Sequence, residues 1–201
     1  MPTVRNIHKL IEFFSSFTVL PVNPDDVRDQ ILSYGIKDEI EFVGVNFNKR
    51  VMLGAFHQYI SRAALYGDPE FHVDIYFDRS LPRDWKRVVC CKELLHILDH
   101  STSKAATRGD CENLIAGMST MKMDAPFSPE KAQVWSDQLM LFYAMAVLFP
   151  WDAREVLYQD YRDDPSKLSA IAKAADLPDV VVQFVFSEHW PRLYASVAGI
   201  N

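Results

Sequence analysis

Apolar and polar residues alternate strictly over residues 72–77, and this alternation predicts a half-buried β-strand. The apolar positions are Val73, Ile75 and Phe77, and the polar positions are His72, Asp74 and Tyr76. Residues 40–47 are rich in Val, Ile and Phe and predict a second strand. Residues 52–65 fit either a strand or a helix, so the pattern leaves their structure open.

Apolar residues at helical spacing dominate the rest of the chain. One helix start is Asn23-Pro24-Asp25-Asp26, where Asn23 can cap the helix and Pro24 suits its first turn. Ser80 is the candidate cap of a later helix. The predicted helices cover residues 7–17, 23–34, 80–99, 128–149, 151–161 and 164–175, with a last helix from 179. Strands enclosed by helices in this order predict an α+β fold.

The composition is that of a folded chain with an acidic balance. The 201 residues are 49% hydrophobic and 24% charged, and the formal net charge is −6. No run of Lys and Arg occurs, so a broad nucleic-acid surface is not indicated. Residues 1–9 are too polar for a secretion signal, and the longest apolar stretch, residues 139–151, is too short to span a bilayer. We therefore expect a cytoplasmic protein with no membrane contact.

The chain has three cysteines, Cys90, Cys91 and Cys111. An odd number with two adjacent members makes a poor disulfide framework, which favours reduced thiols. Adjacent residues diverge by a wide angle on a helix, so Cys90 and Cys91 are poorly placed to chelate one metal ion. We expect both to pack in the core.

The residues with the clearest chemical meaning are Lys92-Glu93-Leu94-Leu95-His96 in the helix over 80–99. In zinc peptidases with a His-Glu-x-x-His helix, the two histidines bind zinc and the glutamate is the general base for the metal-bound water. Glu93 and His96 have the required spacing, and Lys92 stands where the first histidine would be. Taken without context, His96 is more often a core histidine bonded to a backbone group, and Glu93 is more often a solvated helix carboxylate.

The order of the surrounding parts resembles the ImmA/IrrE family of phage- and stress-associated metallopeptidases. The shared features are a strand, a Leu81-Pro82 turn, the motif helix, and a later helix ending Val147-Leu148-Phe149-Pro150. The resemblance extends over residues 72–190, and residues 168–192 resemble the small helical unit that often follows in this family. It implies a zincin-like fold, in which a small β-sheet packs against the motif helix with several further helices. It also implies that Asp137 is the acidic third ligand.

The resemblance implies one zincin-like domain over residues 1–201, in which 1–50 is a less certain N-terminal part and 163–201 is a C-terminal helical extension. Within it, the metal motif is damaged. Lys92 replaces a histidine ligand, and Asp137 is shorter than the usual glutamate. His100 lies one turn after His96 and is a replacement ligand if the helix continues past Asp99.

A metal-free arrangement is the alternative. The Lys92 ammonium would occupy the metal position and pair with Asp137, so the carboxylates would stay compensated without zinc. We therefore expect zinc to be absent or weakly bound.

Two functions are compatible with these residues, and a plain structural or phage-encoded protein with no small-molecule site is a third option. The first, as the family resemblance implies, is an active zinc-dependent endopeptidase that cleaves a repressor-type protein, with Glu93 as base and His96, Asp137 and His100 among the ligands. The second is a non-catalytic or weakly active regulator of the phage or stress type, whose cleft, containing Lys92, binds a protein or peptide partner. A helix-turn-helix repressor is the partner that the resemblance implies. The missing ligand favours the second function.

Overall fold

Three strands form a small mixed sheet. The computed structural model describes residues 3–48, 52–61, 69–98 and 129–200. The strands are β1 (Glu39–Val45), β2 (Gly54–Ser61) and β3 (Glu70–Asp78), in the order β1-β3-β2. β3 pairs in parallel with β1 and antiparallel with β2. The two predicted strands are confirmed, and the ambiguous segment 52–65 contains β2.

The described part of the chain also contains eight α-helices. They are α1 (Thr3–Ser15), α2 (Pro24–Leu32), α3 (Arg83–Leu95), α4 (Pro129–Leu148), α5 (Trp151–Asp163), α6 (Leu168–Ala175), α7 (Asp179–Val185) and α8 (Trp190–Ala198). Short 3-10 helices lie at His96–Leu98 and Pro165–Lys167. The predicted α+β class is confirmed. No helix within the described ranges is both long and apolar enough to cross a lipid bilayer.

The core lies between the inner face of the sheet and the helices α1, α3 and α4, and it continues into α6, α7 and α8. Val73 and Ile75 of β3 are fully buried, as the alternation of that strand predicts. α3 packs against β2, β3 and α4, and α1 packs against α4 and α8. The division of the chain into an N-terminal part and a C-terminal extension stays a prediction.

The connection from β3 to α3 is held by the buried carboxylate of Asp78. Its oxygens accept hydrogen bonds from the backbone N–H of Phe47 at 2.9 Å and of Ser80 at 2.8 Å. The Ser80 hydroxyl donates to the same carboxylate. Because Ser80 is engaged there, Pro82 takes the N-cap position and α3 begins at Arg83. The helix start predicted at Ser80 is therefore three residues too early.

Arg87 fixes the other side of α3. Its guanidinium is buried and donates to the Asn23 Oδ1 atom at 2.9 Å and to the Val22 carbonyl oxygen. It also lies 3.5 Å from the Asp176 carboxylate, which Arg83 contacts at 2.8 Å. Burial lowers the pKa of Arg87, and the charge of Asp176 acts against that shift. One side chain thus connects α3 to the start of α2 and to the turn between α6 and α7.

We expect Arg87→Met to lower the free energy of unfolding by about 3 kcal/mol, because it leaves the buried Val22 carbonyl oxygen without its donor and removes the buried one of the two cations beside Asp176. Arg28→Met is the matched control, because Arg28 pairs with the exposed carboxylates Asp25 and Asp29. It should cost less than about 1 kcal/mol. Urea unfolding measures the free energy of unfolding of both variants. Equal losses would show that Arg87 does not connect α3 to α2 and to the turn between α6 and α7.

Candidate functional site

Glu93 and His96 lie at the end of α3, where the helix tightens into the 3-10 segment His96–Leu98. Glu93 is 4% exposed and His96 is 8% exposed. A solvated helix carboxylate would not be buried to this extent, so that interpretation of Glu93 is wrong. The α-helix ends at Leu95, which is earlier than the predicted end near residue 99.

Lys92, Glu93 and His96 form one side-chain group, which we call the Glu93 cluster. The Lys92 Nζ atom lies 2.9 Å from the Glu93 Oε1 atom. The His96 Nε2 atom lies 4.0 Å from the other carboxylate oxygen, Oε2. The two basic side chains therefore flank one buried carboxylate.

One partner of the Lys92 ammonium is the next residue in the sequence, Glu93. The pair predicted from the sequence joins Lys92 to Asp137, and the contact with Glu93 was not foreseen. The Lys92 side chain is only 17% exposed, so the ammonium is largely withdrawn from solvent with its carboxylate. Burying a carboxylate is costly unless a cation or several hydrogen-bond donors compensate it, and Lys92 supplies such a cation.

The edge strand β2 covers the Glu93 cluster. A Cβ atom added to Gly54 would lie 2.4 Å from the Val89 Cγ1 atom and 3.0 Å from the Cγ and Oε1 atoms of Glu93. The absence of a side chain at Gly54 thus lets the β2 backbone approach α3 closely. Phe56, two residues further along β2, has its ring centroid 6.3 Å from that of His96. The site is therefore bounded by a helix end and the backbone of an edge strand.

The remaining predicted site residues are only partly described. Asp137 belongs to α4, and α4 packs against α3, but the side chain of Asp137 lies outside the described residues. His100 also lies outside them. The convergence of Asp137 with Glu93 and His96, and the role of His100 as a ligand, stay predictions.

The described side chains do not fit a zinc centre. A catalytic zinc ion normally keeps three protein ligands, whereas the Glu93 cluster supplies one imidazole and one carboxylate that already has a cation. Across the described ranges, no group of three or more His, Cys, Asp and Glu side chains is arranged to hold a metal ion.

Cys90 and Cys91 are both buried, as predicted. Burial raises the pKa of the Cys90 thiol to about 12 and raises that of Cys91 further. A thiol that resists deprotonation is a poor nucleophile and a poor metal ligand. These two residues are part of the core, while Cys111 lies outside the described residues.

Comparisons with known proteins do not assign the chain. No family model, curated protein or solved structure matches it. The relation to a family therefore rests on the motif residues and is a matter of proposal.

Sequence reasoning missed the two β2 residues of the site, Gly54 and Phe56. Residues 52–65 have no clear period, so the sequence does not place β2 beside the motif helix. The signal available was a lone glycine next to an apolar run, which is typical of a close backbone approach.

We expect Gly54→Ala to lower the free energy of unfolding by about 1–3 kcal/mol, because the new methyl group overlaps Val89 and Glu93. Gly44→Ala is a matched control, since Gly44 and Gly54 both pair with Phe77 of β3. At Gly44 the nearest atoms are on the Phe77 ring at 3.2 Å, so this variant should stay within about 1 kcal/mol of wild type. Chemical denaturation compares the two, and equal stability would contradict the close approach of β2 to Glu93.

Proposed function

We propose that this chain is a degenerate member of the zincin-like, ImmA/IrrE type of metallopeptidase scaffold, and that it acts as a non-catalytic or weakly active regulator. The proposal rests on one observation, the 2.9 Å ion pair between Lys92 and Glu93 in a buried site. The pair involves the residue in the position of the first zinc ligand and the residue in the position of the general base.

The chemistry of these two positions argues against efficient peptide hydrolysis by the zinc route. A protonated lysine has no lone pair to offer a metal ion. A general base must be free to take a proton from water, and Glu93 is instead held by a neighbouring ammonium. A fixed cation thus stands in place of a divalent one, and the buried carboxylate remains compensated.

The cleft bordered by β2 is the surface that we assign to a protein or peptide partner. In the described sheet β2 pairs only with β3, so its other edge carries backbone groups without a strand partner. An extended peptide can add to such an edge through main-chain hydrogen bonds. As part of the same proposal, the partner is a repressor-type protein of the helix-turn-helix kind and the compartment is the cytoplasm.

The alternative is an active zinc-dependent endopeptidase. It would require His96, Asp137 and His100 to converge on one zinc ion and the ammonium of Lys92 to leave Glu93. The observed ion pair between Lys92 and Glu93 argues against that rearrangement.

We expect Lys92→His to gain zinc affinity by at least about tenfold, since it restores a second imidazole one turn before His96. Lys86→His is the control, because it adds an imidazole to the same helix without completing the His-Glu-x-x-His motif. Isothermal titration with zinc chloride measures both variants and the wild type. In the wild type, EDTA should leave the melting temperature unchanged.

Two results would contradict this account in different ways. Stoichiometric zinc in the purified wild type, with a melting temperature that falls on chelation, would contradict the metal-free regulator. A Lys92→His variant that binds zinc no better than Lys86→His would contradict the assignment of the metallopeptidase cleft itself.

A further inference from the structure

The second chemically distinctive surface is the side of the sheet that faces away from α3, which we call the outer face. Strand register places Glu39, His72 and Tyr59 side by side in one row across the three strands. The next row contains Glu41, Asp74 and His57. The remaining polar members are Glu70, Tyr76 and Ser61.

Aromatic rings form a continuous row on this outer face. The Tyr59 ring stacks on His57 and on His72, with centroids 5.2 Å apart in each case. The ring of Tyr76 lies 6.4 Å from that of His57. His57 and His72 lie on neighbouring strands, so only the pairing of β2 with β3 brings both rings beside Tyr59.

The outer face has an excess of negative charge. It carries four carboxylates, Glu39, Glu41, Glu70 and Asp74, and its positions on the described strands include no Lys or Arg. Glu41 lies directly opposite Asp74, and like charges in that position destabilise a sheet. Within the described part of the chain Glu41 makes no hydrogen bond or salt bridge. The repulsion between Glu41 and Asp74 therefore remains in the sheet, and a bound cation would reduce it.

The tyrosines experience this negative charge. Partial burial, followed by the charges of Asp74, Glu41 and Glu39, raises the pKa of Tyr59. The hydroxyl of Tyr76 donates to the Asp74 carboxylate at 2.7 Å, and this bond is the main cause that raises the pKa of Tyr76 to about 12.

A polar atom without a partner lies in the same row as the repulsive pair. The Nδ1 atom of His57 is buried and has no hydrogen-bond partner among the described residues. A neutral imidazole with its proton on Nε2 accepts a hydrogen bond at Nδ1 from an N–H donor. A cationic N–H donor placed beside Glu41 and Asp74 would compensate both carboxylates.

We propose that the outer face binds an arginine-containing basic segment of a partner protein. A guanidinium is planar and weakly hydrated, and it offers several N–H donors to carboxylates while its plane packs against aromatic rings. An ammonium offers the same charge without the flat shape. The outer face lies on the opposite side of the sheet from the Glu93 cluster, so this proposal does not depend on the function proposed for that cluster.

The test uses fluorescein-labelled nona-arginine and nona-lysine peptides in fluorescence anisotropy titrations of the full chain. We expect wild type to bind nona-arginine more tightly than nona-lysine at the same salt concentration. The double variant Glu41→Gln/Asp74→Asn should bind nona-arginine about tenfold more weakly, because it removes two charge-assisted contacts. Tyr59→Leu keeps every charge and should lose the preference for arginine over lysine.

The control variant Glu12→Gln/Asp163→Asn removes the same amount of charge from exposed positions on α1 and α5 and should bind within about twofold of wild type. If this control variant lost as much affinity for nona-arginine as Glu41→Gln/Asp74→Asn, the proposal would be overturned. Binding would then be nonspecific attraction to an acidic chain. Unchanged binding by Glu41→Gln/Asp74→Asn would also overturn it. An unchanged arginine preference in Tyr59→Leu would overturn the assignment of arginine.

Folding of the variants is checked separately by thermal melting. Glu41→Gln alone removes the repulsion with Asp74 and should melt at or above the wild-type temperature. A clear fall in melting temperature would contradict the like-charge pair on which the proposal depends.

Discussion

The compensation of one buried carboxylate, Glu93, is the constraint on which the candidate site depends. The side chain lies between the end of α3 and the backbone of β2, and solvent reaches little of it. A charge in this position requires a cation close by, and the Lys92 ammonium at 2.9 Å provides it. The same contact that keeps the carboxylate in the fold also occupies the two positions that a zinc peptidase would use for ligation and for proton transfer.

Local patterns in the sequence predict much of the fold. The alternation of residues 72–77 identifies β3, because one face of that strand is buried and the other is polar. The long apolar stretch before Pro150 identifies α4. β2 could not be identified in this way. Its position depends on pairing with β3 and on the space left by Gly54, and both are tertiary effects that a single-strand pattern does not contain.

From the sequence, the site could be predicted only for those residues that lie on the same helix. The spacing of Lys92, Glu93 and His96 placed them together, and the structure brings them together. The pairing of Lys92 with Glu93 depends on side-chain conformation and burial, which spacing alone does not determine. The stack of His57, Tyr59 and His72 was missed for a different reason, since it forms between strands whose register could not be read from the sequence.

A double-mutant cycle on Lys92 and Glu93 tests the central claim most directly. The free energies of unfolding of wild type, Lys92→Met, Glu93→Gln and the double variant give the coupling between the two side chains. If the ammonium compensates the buried carboxylate, each single change is destabilising and the double variant recovers about 2 kcal/mol relative to their sum. Effects that add to within about 0.5 kcal/mol would contradict the account, because the two groups would then be energetically independent.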